Sequence, residues 1–147
     1  MKKILVVDDE LGSRESLKAI LNRTYEVETA DSALAAESIL AQRPVDLLLL
    51  DIMMPQKDGL TFLREVREMQ PRLPVIMISA YSSPRFISQS LRLGAIDYLT
   101  KPFDITEVRF VVEKTLQAGA PPPPAPEVSE TGAEYTALRP TGTDSGN

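Results

Sequence analysis

Val45-Asp46-Leu47-Leu48-Leu49-Leu50, closed by Asp51, is the stretch that decides the fold. Four consecutive leucines leave no polar face, so the segment reads as a strand covered on both sides. Ile4-Leu5-Val6-Val7 is a run of the same kind, and Asp8-Asp9-Glu10 ends it. Working outward, Leu17, Ile20 and Leu21 place a helix after the first strand, and Tyr25 to Ala30 alternates like a strand nearer an edge. Leu34, Ile39 and Leu40 mark a second helix, and Leu60, Leu63, Val66 and Arg67 suit a third that starts near Asp58. Pro74 to Ser79 gives a fourth strand, residues 84–93 a fourth helix stopped by Gly94, and Ile96 to Thr100 a fifth strand. Val108, Val111, Val112 and Leu116 line a last helix. Five strands alternating with five helices imply parallel pairing, right-handed crossovers and a doubly wound α/β sheet.

The periodic region spans residues 1–117. Beyond it, residues 118–147 hold six of the 12 prolines and four of the seven glycines, with only Val128, Tyr135 and Leu138 as sizeable apolar anchors. That segment cannot bury enough surface to offset its ordering entropy, so a disordered tail or linker is expected. Pro121 to Pro126 favour an extended spacer.

Composition removes whole classes of chemistry. With neither cysteine nor histidine, the chain has no thiolate, no Ser-His-Asp triad and no His-ligated zinc. Any metal must be held by oxygen, which points to magnesium, manganese or calcium. A net charge of −5 argues against direct nucleic-acid binding by this segment. The apolar run after Lys2-Lys3 is too short for a signal peptide, and no stretch reaches the length of a membrane span. A cytoplasmic protein with no membrane contact is expected.

In a doubly wound sheet, ligands sit beyond the carboxyl ends of the strands. Those ends carry Asp8-Asp9-Glu10, Asp51, Ser79 and Lys101-Pro102; the second strand ends in Ala30-Asp31, which reads as a helix N-cap. Taken singly, each has a plain alternative. Asp-Asp-Glu before a helix suits an N-cap, Ser79 a turn, and Lys101 a solvated lysine. Jointly, an acidic pair, an acid, a hydroxyl and a lysine at successive core-strand ends specify a site. If the first and third strands are neighbours, Asp8, Asp9 and Asp51 converge, and a bound Mg²⁺ relieves their repulsion. Lys101 starts roughly 10 Å from Asp51, two strand spacings away, a gap its stem can nearly cover.

These residues resemble the receiver domain of two-component response regulators. The likeness lies in Val7-Asp8-Asp9-Glu10, Asp51-Ile52-Met53-Met54-Pro55 with Asp58-Gly59 following, Ile78-Ser79-Ala80, Gly94-Ala95-Ile96-Asp97-Tyr98-Leu99 and Lys101-Pro102-Phe103. The resemblance implies a flavodoxin-like strand order 2-1-3-4-5 and a phospho-acceptor switch rather than an enzyme. It makes Asp51 the acceptor, with Mg²⁺ held by Asp51, Asp9 and the Met53 carbonyl directly and by Asp8 through water. Ser79 and Lys101 would engage the phosphoryl group, Ser79 and Tyr98 would form the switch, and the Lys101–Pro102 bond would be cis. A sensor histidine kinase or phosphotransfer protein would be the donor.

The surface of the fourth helix, fifth strand and fifth helix carries Arg85, Arg92, Asp97, Glu107, Arg109 and Lys114, a mix suited to symmetric salt bridges in a homodimer or to a partner complex. Met53 and Tyr81 would flank the approach of hydrolytic water. Two rival readings are weaker. An aspartate-nucleophile phosphohydrolase has a second acid where Met53 stands, and a pseudo-receiver has usually lost an acid or the lysine.

Overall fold

The computed structural model describes residues 1–81 and 83–119. The expected disordered character of residues 118–147 thus falls almost wholly outside the described residues. In chain order the elements are β1 (Lys3–Val7), α1 (Leu11–Leu21), β2 (Glu26–Ala30), α2 (Ala33–Gln42) and β3 (Leu47–Asp51). There follow α3 (Gly59–Met69), β4 (Val75–Ser79), α4 (Pro84–Arg92), β5 (Asp97–Thr100) and α5 (Ile105–Ala118). The strands form one parallel sheet in the order β2-β1-β3-β4-β5. The leucine run lies on the central strand, and every residue of β3 and β4 is buried.

The period of two along each strand divides the core. Leu5, Val7, Leu48, Leu50, Val75 and Met77 face α2 and α3, where Ala36, Leu40, Phe62, Leu63 and Val66 meet them. Ile4, Val6, Leu47, Leu49, Ile76 and Ile78 face α1 and α5, against Leu17, Leu21, Val108 and Val112. The register Val7↔Leu50 and Asp51↔Ile78 brings the ends of β1, β3 and β4 to one level.

Two expectations are corrected. Leu34 is 75% exposed and not on the buried face of α2; Ala33, Ala36 and Leu40 hold that face. Alanines let the helix lie close to the sheet, and the rotation that buries them turns Leu34 outward. The N-cap of α2 is Ser32, whose hydroxyl accepts from the Ala35 N–H at 3.1 Å, and not Asp31. Asp58 and Asp104 cap α3 and α5 in the same way, accepting from the Thr61 and Glu107 N–H groups.

Arg67 on α3 is only 9% exposed. Its guanidinium donates to the carbonyls of Pro71, at 2.7 Å, and Leu73. Its stem packs beneath Gly94, which adopts a φ of 106°. Burial holds its pKa below the ordinary arginine value. A side chain at Gly94 would be strained by that φ and would meet Arg67 Cδ at 2.8 Å.

Gly59 opens α3 where its backbone crosses the end of β3, with its N–H donated to Ile52 O at 2.7 Å. A Cβ there would run into the Asp51 carbonyl and lie 2.7 Å from Ile52 Cα. Gly59→Ala should therefore displace α3 from the Asp51 strand end and cost about 2 kcal/mol or more of stability. Denaturant unfolding measures this, and an unchanged midpoint and slope would contradict the close approach.

Candidate functional site

Asp51 ends β3 and is 3% exposed, and Asp8 stands fully buried beyond β1. Carboxylate oxygens of Asp8, Asp9 and Asp51 lie within 4.8 Å of one another, Asp9 on the exposed side. Asp8 and Asp51 are already committed to local geometry. Asp8 Oδ1 accepts from the Glu10 N–H at 2.8 Å, and Asp51 Oδ1 from the Met53 N–H at 3.1 Å.

Lys101 directly follows β5, two strands from Asp51, and is joined to Pro102 by a cis peptide bond. Its backbone N–H reaches Ser79 O at 2.8 Å, which fixes the end of β5 beside β4. The side chain is 12% exposed, and Nζ lies 2.8 Å from Asp8 Oδ2, 2.7 Å from Glu10 Oε1 and 3.3 Å from Asp51 Oδ2. The contact with Asp8 is close but poorly aligned, so among the described residues that buried oxygen takes no hydrogen bond.

The electrostatics follow from burial and crowding. Desolvation first, and the neighbouring charge of Asp8 second, push Asp51 up to about 7, against the opposing pull of Lys101. Burial disfavours the Lys101 ammonium, but its close contacts with the carboxylates of Asp8 and Glu10 outweigh it and hold the net value above the ordinary lysine range. Glu10 is drawn below the usual carboxylate range by its hydrogen bond with Lys101 and then by Ser13. The sequence separates Glu10 from Lys101 by 91 residues, and the helix-capping pattern hid the pair.

The donor set suits a hard divalent cation. It consists wholly of carboxylate oxygen, one buried oxygen lacks a hydrogen bond, and the site's single ammonium cannot balance the acids converging on it. The Asp8, Asp9 and Asp51 group could therefore hold a metal ion.

Ser79 ends β4 with 1% of its surface exposed. Its hydroxyl accepts from the Tyr81 N–H at 3.0 Å, and the Tyr98 hydroxyl donates to the Tyr81 carbonyl. Ser79 and Tyr98 are thus joined through one backbone unit. Burial raises the Tyr98 pKa. Met53 and Tyr81 are both largely exposed, flanking the strand ends.

On the face of α4, β5 and α5, Lys114 pairs with Asp97 of the same chain at 3.9 Å. Arg109 Nε instead donates to Ile20 O on α1, at 3.4 Å, so that residue belongs to the α1–α5 seam. Among the described residues no helix is long and apolar enough to cross a membrane.

Residues 4–113 match the family described as the response regulator receiver domain. Regulatory protein AtoC of Escherichia coli (strain K12) is 37% identical over 118 residues, which cover 80% of this chain and 26% of that protein. The chain thus spans about a quarter of the length of AtoC. Sporulation initiation phosphotransferase F of Bacillus subtilis (strain 168) is 37% identical over 116 residues, covering 78% of this chain and 94% of that one. The crystal structure of the receiver domain of NtrX from Brucella abortus superposes with a TM-score of 0.76 at 35% identity, covering 79% and 99% of the two chains. The strand order, the acidic strand ends and these likenesses agree: the chain belongs to the response regulator receiver domain family, phosphoryl-accepting signalling domains of two-component systems that work with histidine kinases or phosphotransfer proteins.

Proposed function

We propose that Asp51 accepts a phosphoryl group from the phosphohistidine of a sensor kinase or phosphotransfer protein, in a reaction that requires Mg²⁺. The observation that carries this reading is the placement of Asp51, buried among acids with the Lys101 ammonium 3.3 Å from Oδ2. Asp9, Asp51 and the Met53 carbonyl would hold the ion directly and Asp8 through water. Bound there, Mg²⁺ supplies charge stabilisation to the phosphoryl oxygens during in-line transfer. An Asp51 oxygen forms the new bond to phosphorus as the donor's P–N bond breaks. Lys101 pairs with one phosphoryl oxygen. Ser79, whose hydroxyl accepts from Tyr81, keeps its own proton to donate to another.

Engaging Ser79 disturbs the Tyr81 backbone that Tyr98 also holds, and so biases the α4–β5–α5 surface. The domain is a switch, with no separate substrate to turn over, acting in the cytoplasm. Residues 118–147 serve as a tail or as a linker to an output module. Replacing Asp51 is the direct test. Acetyl phosphate with Mg²⁺ should add one phosphoryl mass to the parent and none to Asp51→Asn, and equal labelling of both would refute the assignment.

Met53 and Tyr81 stand exposed beside the acceptor, and neither is a strong base near neutral pH. Their bulk excludes an attacking water, so the phosphorylated state should last minutes or longer. Met53→Asn with Tyr81→Glu should speed loss of phosphate at least about tenfold, equivalent to ~1.4 kcal/mol of barrier. Phosphate release from the purified proteins reads this, and an unchanged rate would reject the role of both side chains.

The α4–β5–α5 face exposes Leu91 and Phe110 beside the Lys114–Asp97 pair. Phosphorylation should promote a homodimer there, with Lys114 and Asp97 exchanging partners across the interface. Sedimentation with beryllofluoride as the phosphoryl mimic should show the dimer; a monomer at all concentrations would exclude it.

A further inference from the structure

Glu10 stands at the N-cap position of α1 but makes no side-chain capping bond. Its carboxylate instead reaches across the mouth of the site to Lys101 Nζ, at 2.7 Å, and Ser13 Oγ donates to the same oxygen at 3.1 Å. Lys101 therefore sits closer to this rim carboxylate than to Asp51, at 3.3 Å, and shares its ammonium between Glu10 and the buried Asp8 Oδ2, at 2.8 Å. Glu10 is 62% exposed, while Asp8 and Asp51 are buried, so the pull on the ammonium has an outward component.

The ammonium and a divalent cation seek the same oxygens of Asp8 and Asp51. Where one cation holds buried carboxylates, another must displace it or share them. A third partner at the rim changes that competition. With Asp8 and Asp51 engaged by a metal, Lys101 would keep its ion pair with Glu10.

We propose that Glu10 is a positioning residue that holds the Lys101 ammonium at the rim of the site, leaving the Asp8 and Asp51 carboxylates to a divalent cation. This rests on the metal-assisted reading of the site above. Glu10 does not touch the transferred group; it acts through Lys101. A plain field effect of one negative charge near the cation would not depend on Lys101, and that difference makes the inference testable.

The experiment measures Mg²⁺ affinity by calorimetry on the full chain for the parent, Glu10→Gln, Lys101→Ala and the double variant. Melting curves in chelator establish that all four are folded. Glu10→Gln should weaken Mg²⁺ binding about two- to fivefold, the size an exposed ion pair supports. In the Lys101→Ala background the same change should have almost no effect. The ¹⁵Nζ signal of Lys101 in metal-free protein should also shift in Glu10→Gln. Equal weakening in both backgrounds, no weakening in either, or an unmoved Lys101 signal overturns the role of Glu10 alone. A parent that binds no Mg²⁺ overturns the metal-assisted reading and this inference together.

Discussion

Crowded carboxylates at one edge of a parallel sheet cannot all stay ionised without positive charge among them, and most of the site answers that constraint. Asp8 and Asp51 are brought together because β1 and β3 are neighbours in register, and neither can retreat into solvent. Backbone N–H groups from Glu10 and Met53 meet one oxygen of each, and the Lys101 ammonium meets the other. Burial first, and the neighbouring charge of Asp8 second, lift the Asp51 pKa, and the remaining excess of negative charge suits a divalent ion. The apolar sheet supplies rigidity for this arrangement. Buried on both faces, its strands offer the acids no path along which to separate.

The same crowding explains why Lys101 must be long and come from β5. A cation on an adjacent strand would sit directly against the acids and neutralise them permanently. One arriving from two strands away meets them only with its terminal atom, and that atom can exchange partners at little cost to the backbone. Ser79, on the strand between, is linked by Tyr81 to Tyr98. The end of β4 is thereby joined to β5 through two hydrogen bonds.

Much of this was legible in the sequence because the features that encode it are local. The leucine run Leu47 to Leu50 admits little but a doubly covered strand, and the strand ends announce Asp8, Asp9, Asp51, Ser79 and Lys101. What could not be read depends on long-range or rotational detail. Ala33 and Leu34 are both apolar, so the pattern does not say which faces the sheet; close packing chooses the smaller one. Asp31 and Ser32 are both competent caps, and only the first helical turn decides between them. The pairing of Glu10 with Lys101 and the burial of Arg67 against carbonyls leave no periodic trace, because their partners are set by how separate loops meet.

Arg67 and Gly94 have a mechanical consequence for α4. Ser90 is the one buried residue of that helix and Phe86 packs partly buried against the core, so its hold on the sheet is light. Its C-terminal end, by contrast, passes into Gly94 directly over a guanidinium clamped by two carbonyls. A rod fastened at one end and loosely supported elsewhere behaves as a lever. A small displacement is negligible at the fulcrum near Gly94 and largest at Pro84, next to the Tyr81 segment that links Ser79 to Tyr98. The helix is thus held more lightly at the end near the acidic site than at the end remote from it.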